Sequence, residues 1–198
     1  MAQLQYLAVQ PVAYNHGQLE TVPAVLAFLR MSVAEHRRAA PTSLGFAVVT
    51  VSDSRTAKND TSGDVLRQMA TAAGHRLEGS TLVRDEVPAI RLALSGMLAM
   101  PGVDVVVVTG GTGVAPRDVT LEAAEPLFER RIEGFGELFR MLSYEQVGAA
   151  AMLSRAAAGV VAGRAVFLLP GSPKAVTLAM EKLILPEAAH LIAQARRS

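Results

Sequence analysis

Residues 103–110, VDVVVVTG, limit the possible folds more than any other stretch of the chain. Four consecutive valines make a β-branched run that is apolar on both faces of a strand and too short for an ordinary helix. A strand without a polar face belongs in the centre of a parallel sheet covered on both sides. The flanking sequence supplies the covers. GFAVVTVS (45–52), RLEGSTLV (76–83) and RAVFLLPG (164–171) read as further strands. DTSGDVLRQMATAAG (60–74) and VPAIRLALSGMLAM (87–100) read as helices, and PKAVTLAMEKLILPEAAHLIAQ (173–194) as a closing helix or pair. In the first helix Thr61 and Asp64 have the spacing of a capping box, and Gly74 suits its end. Residues 126–159 are less regular and read as helical in pieces. This alternation predicts an α/β three-layer sandwich, with an open, mostly parallel sheet flanked by helices.

A chain of 198 residues, 51% hydrophobic and 19% charged, can bury one real core. The stretch RRAAPTSLG (37–45) separates an N-terminal extension, 1–43, from an α/β domain, 44–198. Within the extension, residues 20–38 place Val25, Leu26, Leu29 and Val33 at helical spacing. That predicts an amphipathic accessory helix packed on the body or on a neighbouring subunit. Met31 offers an alternative start. A net charge of +1 argues against a general nucleic-acid binder. With no cysteine there is no disulfide, thiolate metal site or cysteine nucleophile. No apolar run reaches the ~20 residues of a membrane span, and no Lys or Arg precedes Arg30 to start a signal peptide. Arg37-Arg38 reads as the approach to the first strand rather than a twin-arginine signal. The expected location is cytoplasmic. The histidines at 16, 36, 75 and 190 show no metal-ligand spacing.

In such sheets ligands bind beyond the carboxyl ends of the strands. The loops there are SDSRTAKNDTSG (52–63), RDEVP (84–88), TGGTGVAPRDVT (109–120) and PGSPKAV (170–176). Gly110, Gly111 and Gly113 allow a sharp turn with exposed N–H groups, and Thr109, Thr112 and Thr120 add hydroxyls. With a helix starting near Thr120, this is either an anion cradle or a tight strand-to-helix turn. It is neither a P-loop nor a dinucleotide fingerprint. Asp85 and Asp118 follow different strands and would face one crevice. They could hold Mg²⁺ beside phosphates, or cap the helices that follow them. Asp53, Asp60 and Glu86 share that ambiguity. Pro170, Gly171, Ser172, Pro173 and Lys174 form either a donor-bearing ligand turn or a rigid connection. Ser154-Arg155 could add a phosphate ligand, or Arg155 could simply be exposed.

Taken in order, VSDSR, NDTSG, TGGTGVAPRDVT, GFGELFRMLS, LSRAAAG and LPGSPKAV resemble the MogA/MoaB family of molybdenum-cofactor biosynthesis proteins over roughly residues 44–190. GFGELFRMLSYEQVG resembles the MoaB branch. The resemblance implies a protein that binds molybdopterin and, in active members, adenylylates it with ATP and Mg²⁺, releasing pyrophosphate. Asp85 and Asp118 match the carboxylates that matter in those members, as catalytic and metal-binding residues. The TGGTG loop (Thr109, Gly110, Gly111, Thr112, Gly113), with Arg117 and Thr120, matches the pterin-phosphate and nucleotide site. Ser52, Asp53 and Ser54, Thr61, Ser62 and Gly63, Ser154 and Arg155, and Pro170 to Lys174 match positions lining the same pocket. It further implies a homotrimer or hexamer and hand-over of product to a molybdenum-insertion protein. Some MoaB-type members lack one or both acids; this chain keeps both, so it is expected to be active. The alternative is a non-catalytic molybdopterin carrier or scaffold.

Overall fold

A computed structural model describes residues 41–197; the helix expected over 20–38 lies outside the described residues. The described residues form a six-stranded sheet in the order β2-β1-β3-β6-β5-β4. Its strands are β1 (Gly45–Val51), β2 (Arg76–Val83), β3 (Val105–Thr109), β4 (Arg130–Arg131), β5 (Ala157–Val161) and β6 (Arg164–Leu169). The first three and β6 run parallel, with Val49 beside Val108 and Val108 beside Leu168. The expected α/β sandwich with a mostly parallel sheet is what the structure shows.

The valines of β3 divide between two cores. Val105 and Val107 face one layer with Phe46, Val48, Phe139, Phe167 and Ile184. Val106 and Val108 face the other with Ala47, Val49, Ile90, Leu94 and Leu168. All four are fully buried, which is why no polar residue interrupts the run. The first layer is built from α1 (Thr61–Ala72), α4 (Glu133–Val147), α5 (Pro173–Ala179) and α6 (Leu185–Ala195). The second is built from α2 (Val87–Ala99) and the short α3 (Thr120–Ala124).

The structure corrects one local expectation and refines two others. Helix α1 is capped by Asp60, whose carboxylate accepts from the Gly63 N–H at 3.0 Å, and not by Thr61. Asp60 is buried and also accepts from the Thr50 hydroxyl at 2.8 Å, so the cap is part of the core. Residues 126–159, read as helical in pieces, contain strands β4 and the beginning of β5. The β5–β6 pair is an antiparallel hairpin turned at Ala162 and Gly163, both at positive φ. The closing segment is α5 and α6 joined by a π-helical stretch, Met180–Ile184. Pro186 has no N–H to offer the carbonyl four residues earlier, and the helical register slips there.

Candidate functional site

Because β2, β1, β3 and β6 run the same way, the loops after them share one edge of the sheet. After β3 the chain turns through Gly110 at φ +108° and Gly111 at φ +62°. A Cβ at Gly110 would overlap the Val51 carbonyl oxygen. One at Gly111 would press on the Thr120 hydroxyl and sit 2.6 Å from Oδ1 of Asp85. The bare backbone therefore does two jobs: it passes close over β1 and leaves space for a carboxylate.

That carboxylate is unusual. Oδ1 of Asp85 is buried and has no hydrogen-bond partner among the described residues. Burial raises the Asp85 pKa above its ordinary value, and the charges of Asp53 and Asp118 add to the effect, partly offset by Arg117. Three acids from three different loops thus converge. Asp118 sits in the turn after the glycines: its Oδ2 accepts from the Ala115 N–H and its own N–H donates to the Ala115 carbonyl, both at 2.9 Å. A Cβ at Gly113 would stand 2.8 Å from that Oδ2. Asp53 accepts from the Asp85 N–H at 3.3 Å and pairs with Arg117 at 2.5 Å.

Neither acid acts as a helix cap. Val119 precedes α3 and Glu86 precedes α2, with no side-chain capping bond at either terminus. A buried, unpartnered carboxylate oxygen is costly unless a cation or donor reaches it. Together with the neighbouring acids it fits Mg²⁺, a hard ion that takes oxygen ligands and shares them with phosphates and water. Among the described residues no group of three or more His, Asp or Glu is placed to hold a metal ion.

The other expected residues divide by role. Ser52 accepts from the Ser54 and Arg55 N–H groups, shaping the loop after β1. Ser62 donates to the Gly171 carbonyl at 2.7 Å and Thr109 to the Pro170 carbonyl at 3.0 Å. Thr120 donates to the Gly110 carbonyl at 2.8 Å. Thr109, Thr112 and Thr120 are buried, and the hydroxyls of Thr109 and Thr120 fasten loops together instead of facing solvent as free donors. Ser172 caps α5 through the Ala175 N–H, with Pro173 in its first turn. Lys174 is exposed and lines, with Pro170, Ser172 and Ser154, a cavity of about 250 Å³ reaching to α4. Thr61 accepts from Arg55, and Gly63 gives α1 room against Asp60. Arg117 is exposed and, among the described residues, is held by Asp53, an arrangement that an incoming phosphate can exchange at little cost.

Two residues depart from the sequence reading. Arg155, read either as a phosphate ligand or as an exposed side chain, is half-buried and donates to the carbonyls of Gly113 and Asp118 and to Glu122. Arg55 was not singled out, yet it bridges Thr61 and the Gly171 carbonyl, joining the loops after β1 and β6. Its only signal was an arginine set among small polar residues at a strand end.

The comparisons with known proteins point the same way. Residues 47–190 match a family model described as "Probable molybdopterin binding domain". The chain belongs to this family. Within it, the chain is 47% identical to Molybdenum cofactor biosynthesis protein B of Bacillus subtilis over 84% of this chain and 99% of that protein. It is 50% identical to the Staphylococcus aureus (strain COL) protein of the same name, over 74% and 88%. Among solved structures, the tungsten cofactor synthesizing protein MoaB from Pyrococcus furiosus is similar at 39% identity and a TM-score of 0.74, covering 80% of this chain and all of that one. The molybdopterin-binding family supplies the fold and a role in molybdenum cofactor biosynthesis. Among the described residues no helix is long and apolar enough to cross a membrane.

The raised Asp85 pKa carries a stability consequence. Between the ordinary carboxylate pKa and the raised one, the folded chain keeps a proton on this group that the unfolded chain has released, so its contribution to stability is present below the ordinary pKa and lost as pH rises through the raised one. Asp85→Asn removes that loss. The substituted protein, free of divalent cation, is expected to melt higher than the native chain at neutral pH, with the difference vanishing near pH 3. Thermal denaturation across pH checks it; equal melting temperatures at neutral pH would show that Asp85 is comfortably solvated.

Proposed function

We propose that this chain transfers an adenylyl group from ATP to molybdopterin. The observation that carries the reading is the buried, unpartnered Oδ1 of Asp85 next to Asp53 and Asp118, with neither Asp85 nor Asp118 engaged as a helix cap. Asp118 and Asp53 also brace their loops, but the buried Oδ1 of Asp85 does not, and the mutual repulsion of the three acids calls for a positive counterpart.

In the reaction an oxygen of the molybdopterin terminal phosphate attacks the α-phosphorus of ATP. A phosphorus–oxygen bond forms there, the bond to the bridging oxygen breaks, and pyrophosphate leaves. The nucleophile is already an anion, so no general base is required. The dominant need is to bring two polyanions together and to stabilise charge on the transferring group. Mg²⁺ held by Asp85 and Asp118 would supply charge neutralisation at the phosphates. The chain supplies the remainder. The Gly110 N–H is taken by the Leu169 carbonyl, so Gly111, Thr112 and Gly113 are the backbone donors of the turn that would meet a phosphate. Arg117 can leave exposed Asp53 for a phosphate, and Lys174 stands at the mouth of the neighbouring cavity. Rigid loops, fastened by Thr109, Thr120, Ser62 and Arg55, provide orientation.

The decisive test mixes purified protein, molybdopterin, ATP and Mg²⁺ and follows adenylylated molybdopterin and pyrophosphate by chromatography. Product that depends on Mg²⁺ is expected. Tight molybdopterin binding without product would leave a carrier or scaffold.

We further propose that the chain works as a homotrimer or hexamer and hands its product to a molybdenum-insertion protein. Support for self-association comes from α4 and the segment after it, where Met141, Tyr144, Val147, Met152 and Leu153 are each more than half exposed. Light scattering is expected to give three or six times the 20.9 kDa chain mass. Met141→Glu combined with Met152→Glu should lower it to the monomer, and an unchanged mass would place the contact elsewhere.

A further inference from the structure

The glycine turn and Asp118 belong to a loop with little regular support of its own. Between Gly113 and Asp118 the chain runs through Val114, Ala115, Pro116 and Arg117, all exposed. Inside it, the Asp118–Ala115 pair of hydrogen bonds is local. Loops of this kind open at low cost unless something outside ties them down.

Arg155 is that tie. Its Nε–H donates to the Gly113 carbonyl at 2.7 Å and its Nη2 to the Asp118 carbonyl at 2.6 Å, so one guanidinium grips both ends of the exposed stretch. Its Nη1 donates to the Glu122 carboxylate at 2.5 Å, which fixes the plane of the fork. Its backbone N–H donates to the Thr112 carbonyl at 3.0 Å. Both anchors are rigid: Glu122 is in α3, and Arg155 stands two residues before β5, next to buried Ala156. The Glu122 carboxyl is held below its ordinary pKa, chiefly by the Arg155 hydrogen bond, as expected of a charged partner.

We infer that Arg155 is a positioning residue for Asp118 and the glycine turn, set by Glu122, and does not itself contact the substrate anions. This rests on the adenylyl-transfer reading above. Lysine cannot replace it, since a single ammonium lacks the planar fork that reaches two carbonyls and an acid together.

The test uses the full chain with Arg155→Lys, Glu122→Gln and the pair, substitutions that keep polarity and size close to native. Two measurements are made: steady-state adenylylation, and amide hydrogen exchange of residues 113–118 without substrates. Arg155→Lys is expected to lower kcat by about 10- to 100-fold, the range for a misplaced reacting group, with both KM values within about threefold of native. Glu122→Gln should fall in the same direction by less, and the pair should be no worse than Arg155→Lys alone, because both act through one contact. Amide exchange at Ala115 and Asp118 should quicken in every variant. A raised KM for ATP or molybdopterin with kcat unchanged would make Arg155 a substrate ligand and overturn the inference. Native exchange rates in Arg155→Lys would overturn it as well. If the native chain yields no product, the transferase reading fails by itself; exchange then still decides whether Arg155 holds the loop, quickened amides supporting the tie and unchanged ones removing it.

Discussion

Asp118→Asn is expected to reduce adenylylated-molybdopterin formation by at least about a hundredfold, the usual loss when a group that stabilises transition-state charge is removed. Asp85→Asn is expected to do the same. The two substitutions are informative because each leaves its surroundings nearly intact. Asparagine at 118 still offers an oxygen to the Ala115 N–H, so the turn should keep its shape while losing one negative charge. Asparagine at 85 keeps the space beside Gly111 filled. Molybdopterin binding should survive in both, since the threonine-fastened loops and the cavity beside Ser172 and Lys174 do not depend on either acid. Raising Mg²⁺ should recover little activity in either variant. Chromatographic product assays over a Mg²⁺ titration, paired with a molybdopterin binding isotherm, separate the effects. Rates within about threefold of native in both variants would remove the acids from the chemistry.

The second large effect is structural. Gly110→Ala places a Cβ against the Val51 carbonyl oxygen, in a backbone at φ +108° that L-residues rarely adopt. Neither neighbour can give way: Val51 is the last residue of β1, and Gly110 itself donates to the Leu169 carbonyl at 2.9 Å. Strain of this kind costs about 3 kcal/mol or more. For a domain of this size that lowers Tm by roughly 10 °C. Calorimetry or circular dichroism will show it. Gly134→Ala serves as the control, since nothing lies near the Cβ it would add and its φ is ordinary; that variant should melt close to native. Equal melting of Gly110→Ala and the native chain would mean that the turn is soft.

The centre of the sheet was legible because β1 and β3 announce themselves through β-branched residues buried along their whole length, with no polar face to show. The site loops were legible for a related reason: a parallel sheet puts its strand ends together, so three glycine-bearing stretches and the acidic RDEVP had to share one edge. What the sequence concealed was written in short or ambiguous signals. Strand β5 begins with alanines, which favour helix when read alone; its pairing with β6 across the Ala162–Gly163 turn overrides that preference. Strand β4 has two residues, too few for any period. The cap on α1 was displaced by one position, because the capping box at Thr61 and the cap at Asp60 differ only in which side chain the fold buries. Arg155 could be ranked as a ligand from its neighbours in sequence, but its partners Gly113, Asp118 and Glu122 lie more than thirty residues away. No local pattern reports a contact of that range.

Both outer strands of the sheet are spoiled for pairing. On one side β2 slips register against β1, with Phe46 and Ala47 facing Leu77 and Gly79 and Glu78 left over. On the other, β4 is only Arg130 and Arg131, both exposed, with Arg131 tied to Glu125 and Glu133. Among the described residues, one interrupted rim and one short cationic rim make a poor template for another strand. Crowded copies of this domain are therefore expected to resist stacking edge to edge into fibres, where a sheet with long, flat, open rims would invite it.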